Sequence, residues 1–390
     1  MTRKIGILTG GGDVPPLNSV IHSAYGHGEL HGIEVVGLGR GWQGLIERET
    51  FDIGKLNLDP SIGGTVLRSS RVNLAKVDGA YEKVRDSMSA LGLEGLIIVG
   101  GEDTLSNAFY LKDIPQILIS KTIDNDVGIN KPGKLVNYFT LGYPTAAERI
   151  SSFVSLREGL RTTAYSHERI IVVESMGMHA GWLALSSAMG QPDFVVIPEF
   201  PLDYERFAER VKERFLRHRN VIIVVSEGAR WADGSHISAD ESDRDNFGHP
   251  KFKGAAEVLA KNLKIDLSKY FDTRNVNSVN PSYLYRSGRP NQLDLESASM
   301  LGKKAVDLLS NGLSEPVFLT LGKRIDSFAV DTFRLADLNG IEEFHRFVDK
   351  RFYDINGLHI TAEGKEYLSH IIKDLGNPYY GLPGKSKENK

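Results

Sequence analysis

The stretch that most constrains this chain runs from residue 96 to residue 126 and reads LIIVGGEDTLSNAFYLKDIPQILISKTIDND. Two apolar runs, Leu96–Val99 and Ile114–Ser120, each end in a polar cluster. The first cluster is Gly100-Gly101-Glu102-Asp103-Thr104 and the second is Lys121-Thr122-Ile123-Asp124-Asn125-Asp126. Apolar runs of this length, bounded by glycine and charge, fit parallel strands covered on both faces. Open α/β sheets bind ligands at the C-terminal ends of such strands. Four carboxylates, a lysine and two glycines gathered there point to a site for phosphate and metal.

Composition narrows the class. A chain of 390 residues suits two packed domains rather than one core. Its 41% hydrophobic and 25% charged residues are ordinary for a soluble globular protein. No stretch approaches a membrane span, and Met1-Thr2-Arg3-Lys4 leads straight into a strand, so a cytoplasmic protein is expected. With no cysteine there is no disulfide framework and no zinc–thiolate site. A net charge of -3 gives no reason to expect nucleic acid as a partner.

Along the chain, a strand at Lys4–Leu8 runs into Thr9-Gly10-Gly11-Gly12-Asp13-Val14-Pro15-Pro16-Leu17-Asn18. Consecutive glycines between strand and helix let backbone N–H groups approach an anion, and Pro15 or Pro16 suits a first helical turn. The pattern matches neither the Walker lysine motif nor a strict dinucleotide fingerprint, so alone it equally describes a tight turn without a ligand. A strand is expected at Ile33–Leu38 and a helix at Ala80–Leu91. Between them, Gly63–Arg71 (GGTVLRSSR) offers Arg71 as a phosphate clamp, against a surface ion pair as the plainer reading.

Further on, helical spacing covers Ala146–Leu160, and strands are expected at Glu168–Ser175, Phe194–Pro198 and Val221–Val225. Tyr204, Phe207, Val211 and Phe215 mark one face of a helix. Trp231–Pro250 reads as a polar surface excursion. A helix around Leu293–Leu309, a β pair at Val317–Leu321 and Ser327–Asp331, and a helix at Thr361–Leu375 complete the pattern, with a disordered tail at Gly384–Lys390.

Taken in order, the Thr9–Asn18 turn, GGTVLRSSR, GGEDT, KTIDND, SHER at Ser166–Arg169, ESMG at Glu174–Gly177 and SEGA at Ser226–Ala229 resemble the 6-phosphofructokinase family from about Lys4 to Leu309. The resemblance implies two similar Rossmann-like three-layer α/β/α domains with the active site in the cleft between them. Residues 1–138 plus 283–332 would bind the phosphoryl donor. Residues 139–282 plus 333–390 would bind the sugar phosphate and carry a C-terminal extension. It also implies Mg2+ as cofactor, fructose 6-phosphate as acceptor, a place in glycolysis and a homodimer or homotetramer.

Phosphoryl transfer to a sugar hydroxyl needs a base, a metal ion and cations around the migrating charge. By resemblance Asp124 is the base, with Thr122 and Asp126 beside the acceptor, and Glu102 and Asp126 are the magnesium ligands. In an extended strand end, Asp124 and Asp126 would point to one side and Asn125 to the other. Gly11, Gly12, Gly101 and Thr104 line the donor side, and Arg71 and Lys121 add charge. Two positions speak to the donor: relatives that use ATP have glycine where Asp103 and Lys121 stand, and relatives that use pyrophosphate have aspartate and lysine. A carboxylate at the mouth of a glycine turn repels an α-phosphate, and a lysine there neutralises departing phosphate. Pyrophosphate is therefore the expected donor, and Asp103 also suits a helix cap.

On the acceptor side, Arg169, Met176, Gly177, Met178, Glu227, Tyr283 and Arg286 match the positions that bind the sugar phosphate. Arg169 often reaches a neighbouring subunit's site in relatives. Met178 replaces a family arginine, Asn277 stands near the place of another, and Pro16 replaces a glycine. Arg274, Arg289 or His179 are possible substitutes for the lost charge, and sedoheptulose 7-phosphate is a second candidate acceptor. Ile21 and Tyr25 stand where allosteric relatives carry arginines, so non-allosteric kinetics are expected. An ATP-dependent kinase and a catalytically silent sugar-phosphate-binding subunit are the competing readings. A dinucleotide oxidoreductase lacks its fingerprint.

Overall fold

The computed structural model describes residues 3–376 apart from residues 71, 132–133, 245–249, 253 and 339–343. Strand β1 (Arg3–Gly10) leads into the glycine turn and then α1 (Leu17–Leu30). Pro16 caps α1 with φ -89° and ψ 15°, so the proline pair precedes the helix instead of occupying its first turn. β2 (Ile33–Leu38), a short α2 (Gly41–Glu47) and β3 (Thr50–Asp52) follow. Next come α3 (Ala80–Leu91), β4 (Leu93–Gly100), α4 (Glu102–Ser106) and β5 (Gln116–Ser120). α2 and β3 were not anticipated, because elements this short carry no readable period.

α5 (Tyr143–Val154) is shorter than the helix expected over Ala146–Leu160. The chain folds back there: Leu160 N–H donates to Phe153 O at 2.8 Å, and a Cβ on Gly159 would sit 2.0 Å from that oxygen. α6 (Arg161–Ser166), β6 (Ile170–Ser175), α7 (Trp182–Ser186), β7 (Phe194–Val196) and α8 (Tyr204–His218) come next. They lead to β8 (Val221–Ser226), α9 (Ala255–Leu267) and β9 (Val276–Val279). The polar excursion contains an antiparallel pair, Ala239–Arg244 with Pro250–Phe252. α10 (Gln292–Ser310), β10 (Val317–Lys323) and β11 (Phe328–Arg334) follow. α11 (Ala362–Ser369) covers only the first part of the helix expected over Thr361–Leu375, with Thr361 as its cap. The expected disordered tail lies outside the described residues.

The chain forms two units, residues 1–145 with 286–346 and residues 146–285 with 347–390. The boundaries expected after residues 138, 282 and 332 thus fall after 145, 285 and 346.

In the first unit the strand order is β11-β10-β5-β4-β1-β2-β3. β1, β2, β4, β5 and β10 run parallel, while β3 and β11 add antiparallel edges. β1 sends its successor to one side and has β4 on the other, which makes their shared C-terminal end a topological switch point. Register then aligns the motifs: Gly10 pairs with Gly100, and Gly100 with Ser120. Three strand ends with three polar clusters lie side by side.

Side-chain alternation buries both faces of this sheet. Leu8, Leu38, Leu96, Ile98 and Leu118 pack with Trp42 and Leu45 of α2 and Val84 and Met88 of α3. The intervening Ile7, Ile97, Val99, Ile117 and Ile119 are also fully buried and point to the opposite face, where α1 and α10 pack together. Each such side chain contributes about 1.5–3 kcal/mol by leaving water.

The second unit has its own parallel sheet, ordered β9-β6-β8-β7. Ile170, Val172, Ile223 and Val225 pack with Phe207, Val211 and Phe215 of α8 and with Leu259 and Leu263 of α9. Asp203 caps α8 by accepting from Arg206 N–H at 3.2 Å. Ser175 pairs with Ser226, so the ESMG and SEGA segments also start from neighbouring strand ends. Among the described residues no helix is long and apolar enough to cross a membrane.

Candidate active site

The glycines of the first unit are required by its switch point. A Cβ on Gly10 would lie 2.4 Å from Thr104 Oγ1, and one on Gly100 would lie 2.4 Å from Thr104 Cβ. Thr104 therefore sits where the β1 and β4 turns meet, its carbonyl accepting from Trp42 Nε1 at 3.0 Å. Gly11 adopts φ +80°, a left-handed conformation that glycine enters without penalty.

The GGTVLRSSR segment is sewn to this turn. Gly11 N–H donates to Ser70 O at 3.3 Å, and the Ser69 hydroxyl donates to Gly11 O at 2.6 Å. Asn18 takes part at both ends, its N–H donating to Gly64 O at 2.9 Å and its Oδ1 accepting from Val66 N–H at 2.8 Å. Arg71, the clamp expected at the end of this segment, lies outside the described residues.

Lys121 is buried, 2% exposed, and its ammonium donates to the carbonyl of Gly12. Its Nζ would lie 3.1 Å from a Cβ on Gly11, so it fills the space beside the glycine turn. Arg286 joins it: Nη1 is 3.1 Å from the Cβ position of Gly12. Arg286, expected among the acceptor-binding residues, thus lies beside glycines expected to line the donor side, and two cations converge on one turn.

α4 opens with Glu102 and Asp103, and Gly101 is its cap. Asp103 suits a helix cap by residue type, but it lies exposed inside the first turn and Gly101 holds the cap position. Glu102 Oε1 lies 2.9 Å from His345 Nε2.

The KTIDND segment is not an extended strand end. β5 stops at Ser120, and Asn125 takes a left-handed φ of 56°. The alternation argument for Asp124 and Asp126 therefore does not apply, because a turn intervenes. Asp124 N–H donates to Thr122 Oγ1 at 3.1 Å, and Thr122 N–H donates to Leu141 O at 3.1 Å. Asn125 points inward, fully buried, with Oδ1 accepting from Thr140 N–H at 3.0 Å and Arg346 Nη1 at 2.9 Å. Asp124 and Asp126 flank it and remain half-buried.

Sequence reasoning missed what holds this turn. Arg346 N–H donates to Asp126 O at 2.8 Å, Gly128 N–H donates to Phe344 O at 2.7 Å, and Val127 bridges His345. Arg346 Nη2 also reaches Tyr138 O at 3.3 Å. A strap of three residues from beyond the recognised motifs thus clasps the acidic turn. No local signal marks it, since a buried arginine in a polar stretch resembles a surface one.

The carboxylates of Glu102 and Asp126 are hard oxygen donors, with the His345 imidazole set against Glu102 as its partner. This set fits Mg2+, which takes one or two carboxylates together with water and substrate phosphates.

In the second unit, Gly177 has φ +121°, and a Cβ there would lie 2.5 Å from Ala180 O. The Ser226 hydroxyl donates to Gly177 O at 2.6 Å, and Gly177 N–H donates to Glu227 Oε1 at 3.1 Å. Met176, Met178 and Glu227 are half-buried around this turn. Beneath it, Glu174 accepts from Ala256 N–H at 3.0 Å and from Asn280 Nδ2 at 2.7 Å. Burial pushes the Glu174 carboxyl above its ordinary range; the Ala256 bond opposes this and the Glu227 charge adds to it. The Tyr285 hydroxyl donates to Glu174 O at 3.0 Å. Arg169 is half-buried and donates to Thr163 Oγ1 at 2.8 Å. Tyr283 is 63% exposed. Asn277 is exposed on β9, and Arg274 forms an exposed ion pair with Asp272 at 2.6 Å.

Known proteins match this arrangement. The phosphofructokinase family model matches residues 4–309. A pyrophosphate–fructose 6-phosphate 1-phosphotransferase of Dictyoglomus thermophilum is 36% identical over 357 residues, covering 90% of this chain and 96% of that protein. An ATP-dependent 6-phosphofructokinase of Streptomyces coelicolor is 37% identical over 319 residues, covering 79% and 88%. The solved structure of a pyrophosphate-dependent phosphofructokinase from Nitrosospira multiformis superposes with a TM-score of 0.79 at 20% identity, over 98% of this chain and 95% of that one, and shares its fold. Motif order, strand-end geometry and these matches agree, and the chain belongs to the phosphofructokinase family.

Proposed function

We infer that the protein transfers a phosphoryl group reversibly from pyrophosphate to the 1-hydroxyl of fructose 6-phosphate, giving fructose 1,6-bisphosphate and phosphate. One observation carries the donor assignment: the buried Lys121 ammonium, held by Gly12, fills the space at the glycine turn. That arrangement suits a compact inorganic donor whose leaving group is phosphate. The Asp103 carboxylate, exposed in the first turn of α4, adds repulsion against the further phosphate of a nucleotide. Two of the relatives most similar to this chain differ on the donor in name, so these side chains bear the argument.

In this reading the first unit binds the donor and the second binds the sugar phosphate. Asp124 takes the proton from the sugar 1-hydroxyl as its oxygen bonds to phosphorus, and the bridging P–O bond breaks to release phosphate. Lys121 neutralises the leaving phosphate, and Arg71 is the second cation this reading assigns to the phosphates. Arg286, next to Gly12, supplies a further cation at the glycine turn. Glu102 and Asp126 would hold Mg2+, which when bound would neutralise charge on the donor phosphates. Thr122, Met176, Gly177, Glu227 and Tyr283 bind the sugar, and Arg169 holds its distal phosphate, in a neighbouring subunit of a homodimer or homotetramer. The testing assay supplies fructose 6-phosphate and Mg2+ with either pyrophosphate or ATP. Turnover with pyrophosphate and not with ATP is the expected result, and turnover with ATP alone rejects the donor assignment.

A further inference from the structure

The end of α1 remote from the glycine turn carries a histidine pair that phosphoryl transfer does not use. His27 lies in the last turn and His31, four residues on, is the C-cap. Residues at this spacing share one helix face, and the two ring centroids are 4.5 Å apart. Asp307 of α10 completes the group, with Oδ1 2.7 Å from His27 Nε2. One ligand atom from each of His27, His31 and Asp307 lies within 4.8 Å of the others. The two helices are held close: a Cβ on Gly302 of α10 would lie 2.8 Å from Val20 O and 3.1 Å from Ala24 N of α1. Donors therefore project from two rigid elements fixed against each other.

We propose that His27, His31 and Asp307 bind a divalent transition metal of the zinc class, clamping α1 to α10. Imidazole donors select zinc, nickel or copper over magnesium, and two histidines at i and i+4 on one helix face are a proven zinc-binding spacing. Tetrahedral zinc with bonds near 2.0–2.1 Å sets its ligand atoms about 3.3 Å apart. The His27–Asp307 contact, at 2.7 Å, needs to open by about 0.6 Å to meet this, and the ligand atom of the exposed His31, within 4.8 Å of the other two, needs to move inward. Water takes the fourth position. The negative end of the α1 dipole adds a favourable potential for a cation. A simple His27–Asp307 ion pair would join the helices without His31. The site shares no residue with Glu102 and Asp126, and it acts on the stability of the helix pair.

The test uses the full chain, freed of any affinity tag, stripped with chelator and titrated with Zn2+ in excess Mg2+. Calorimetry is expected to give about one tight equivalent per chain, and thermal unfolding to shift upward with zinc. His31→Ala should weaken zinc about 10- to 100-fold or more while leaving the zinc-free unfolding temperature unchanged, because His31 is exposed. Absence of stoichiometric zinc binding in the wild-type chain, or equal affinity in His31→Ala, overturns the site. Asp307→Asn is the confirming variant, expected to weaken zinc as His31→Ala does.

Discussion

Arg346 donates through Nη1 to the Asn125 side-chain oxygen at 2.9 Å, across 221 residues of sequence. The bond fixes Asn125, which is fully buried between Asp124 and Asp126, and so fixes the two aspartates that flank it. Its guanidinium spans the turn and Tyr138 O, and its backbone N–H holds Asp126 O. Arg346→Ala should therefore lower kcat about 100-fold through misplacement of Asp124, with a smaller change in KM and a stability loss of about 1–3 kcal/mol from the stranded acceptors. Arg346→Lys should recover part of kcat. Steady-state kinetics beside thermal unfolding check this. A destabilised Arg346→Ala that keeps wild-type kcat would show the strap to be structural only.

Asp124 is the proposed base. Asp124→Ala should reduce kcat by roughly 10²–10⁴ with the unfolding temperature and sugar-phosphate binding retained. The backbone of Asp124, which bonds Thr122 Oγ1, is untouched by the change. Rates measured beside equilibrium binding of fructose 6-phosphate separate this from a general loss of structure.

Donor choice is expected to move with two side chains. Asp103→Gly removes an exposed carboxylate from the first turn of α4, so it should raise the ATP-to-pyrophosphate ratio of kcat/KM at a stability cost of about 1 kcal/mol. Lys121→Gly should act mainly by weakening pyrophosphate turnover, since it removes the cation at Gly12. The double variant should shift the ratio furthest. Competition assays with both donors read it directly, and an unchanged ratio in the double variant rejects these positions as selectors.

Asp193 lies buried between Arg161 at 2.5 Å and Arg214 at 2.6 Å, and also accepts from Ile222 N–H at 2.8 Å. Burial works against its charge, but the two guanidinium groups and the N–H bond outweigh it and hold its pKa below the ordinary 3.8. A carboxylate with a depressed folded-state pKa adds stability that is complete above the unfolded value. That stability is lost as pH falls through the folded value. Wild-type stability should thus decline below about pH 4. Asp193→Asn should lose about 3–5 kcal/mol at neutral pH, since it leaves buried arginine charge unpaired, and should show a shallower acid decline. Urea unfolding of both proteins from neutral to acid pH measures the two slopes; parallel slopes contradict the assignment.

Several elements could be read locally. Ile33–Leu38 and Ala80–Leu91 form over the residues expected, and β4 and β5 end where their polar clusters begin. Apolar runs, glycine stops and helical spacing are short-range signals carried by neighbouring residues. The same holds for the chemistry of the clusters: carboxylates, lysine and glycines at strand ends suffice to point to phosphate and metal. Helical spacing extends over Ala146–Leu160 but the helix ends at Val154, because the back-bond from Leu160 to Phe153 is a tertiary choice that period alone does not report.

The chain's local pattern thus settled the kind of element at each motif and the chemistry that each brings. Tertiary structure decided which motifs meet and how each is held. Strand order and register set Gly10, Gly100 and Ser120 side by side, and no local pattern encodes a pairing between strands ninety residues apart. The left-handed turn at Asn125 and its clasp by Arg346 belong to the same category. A buried polar group takes whatever partner the packed fold delivers, because leaving it unpaired costs about 1–3 kcal/mol, and the identity of that partner exists only once distant segments have come together.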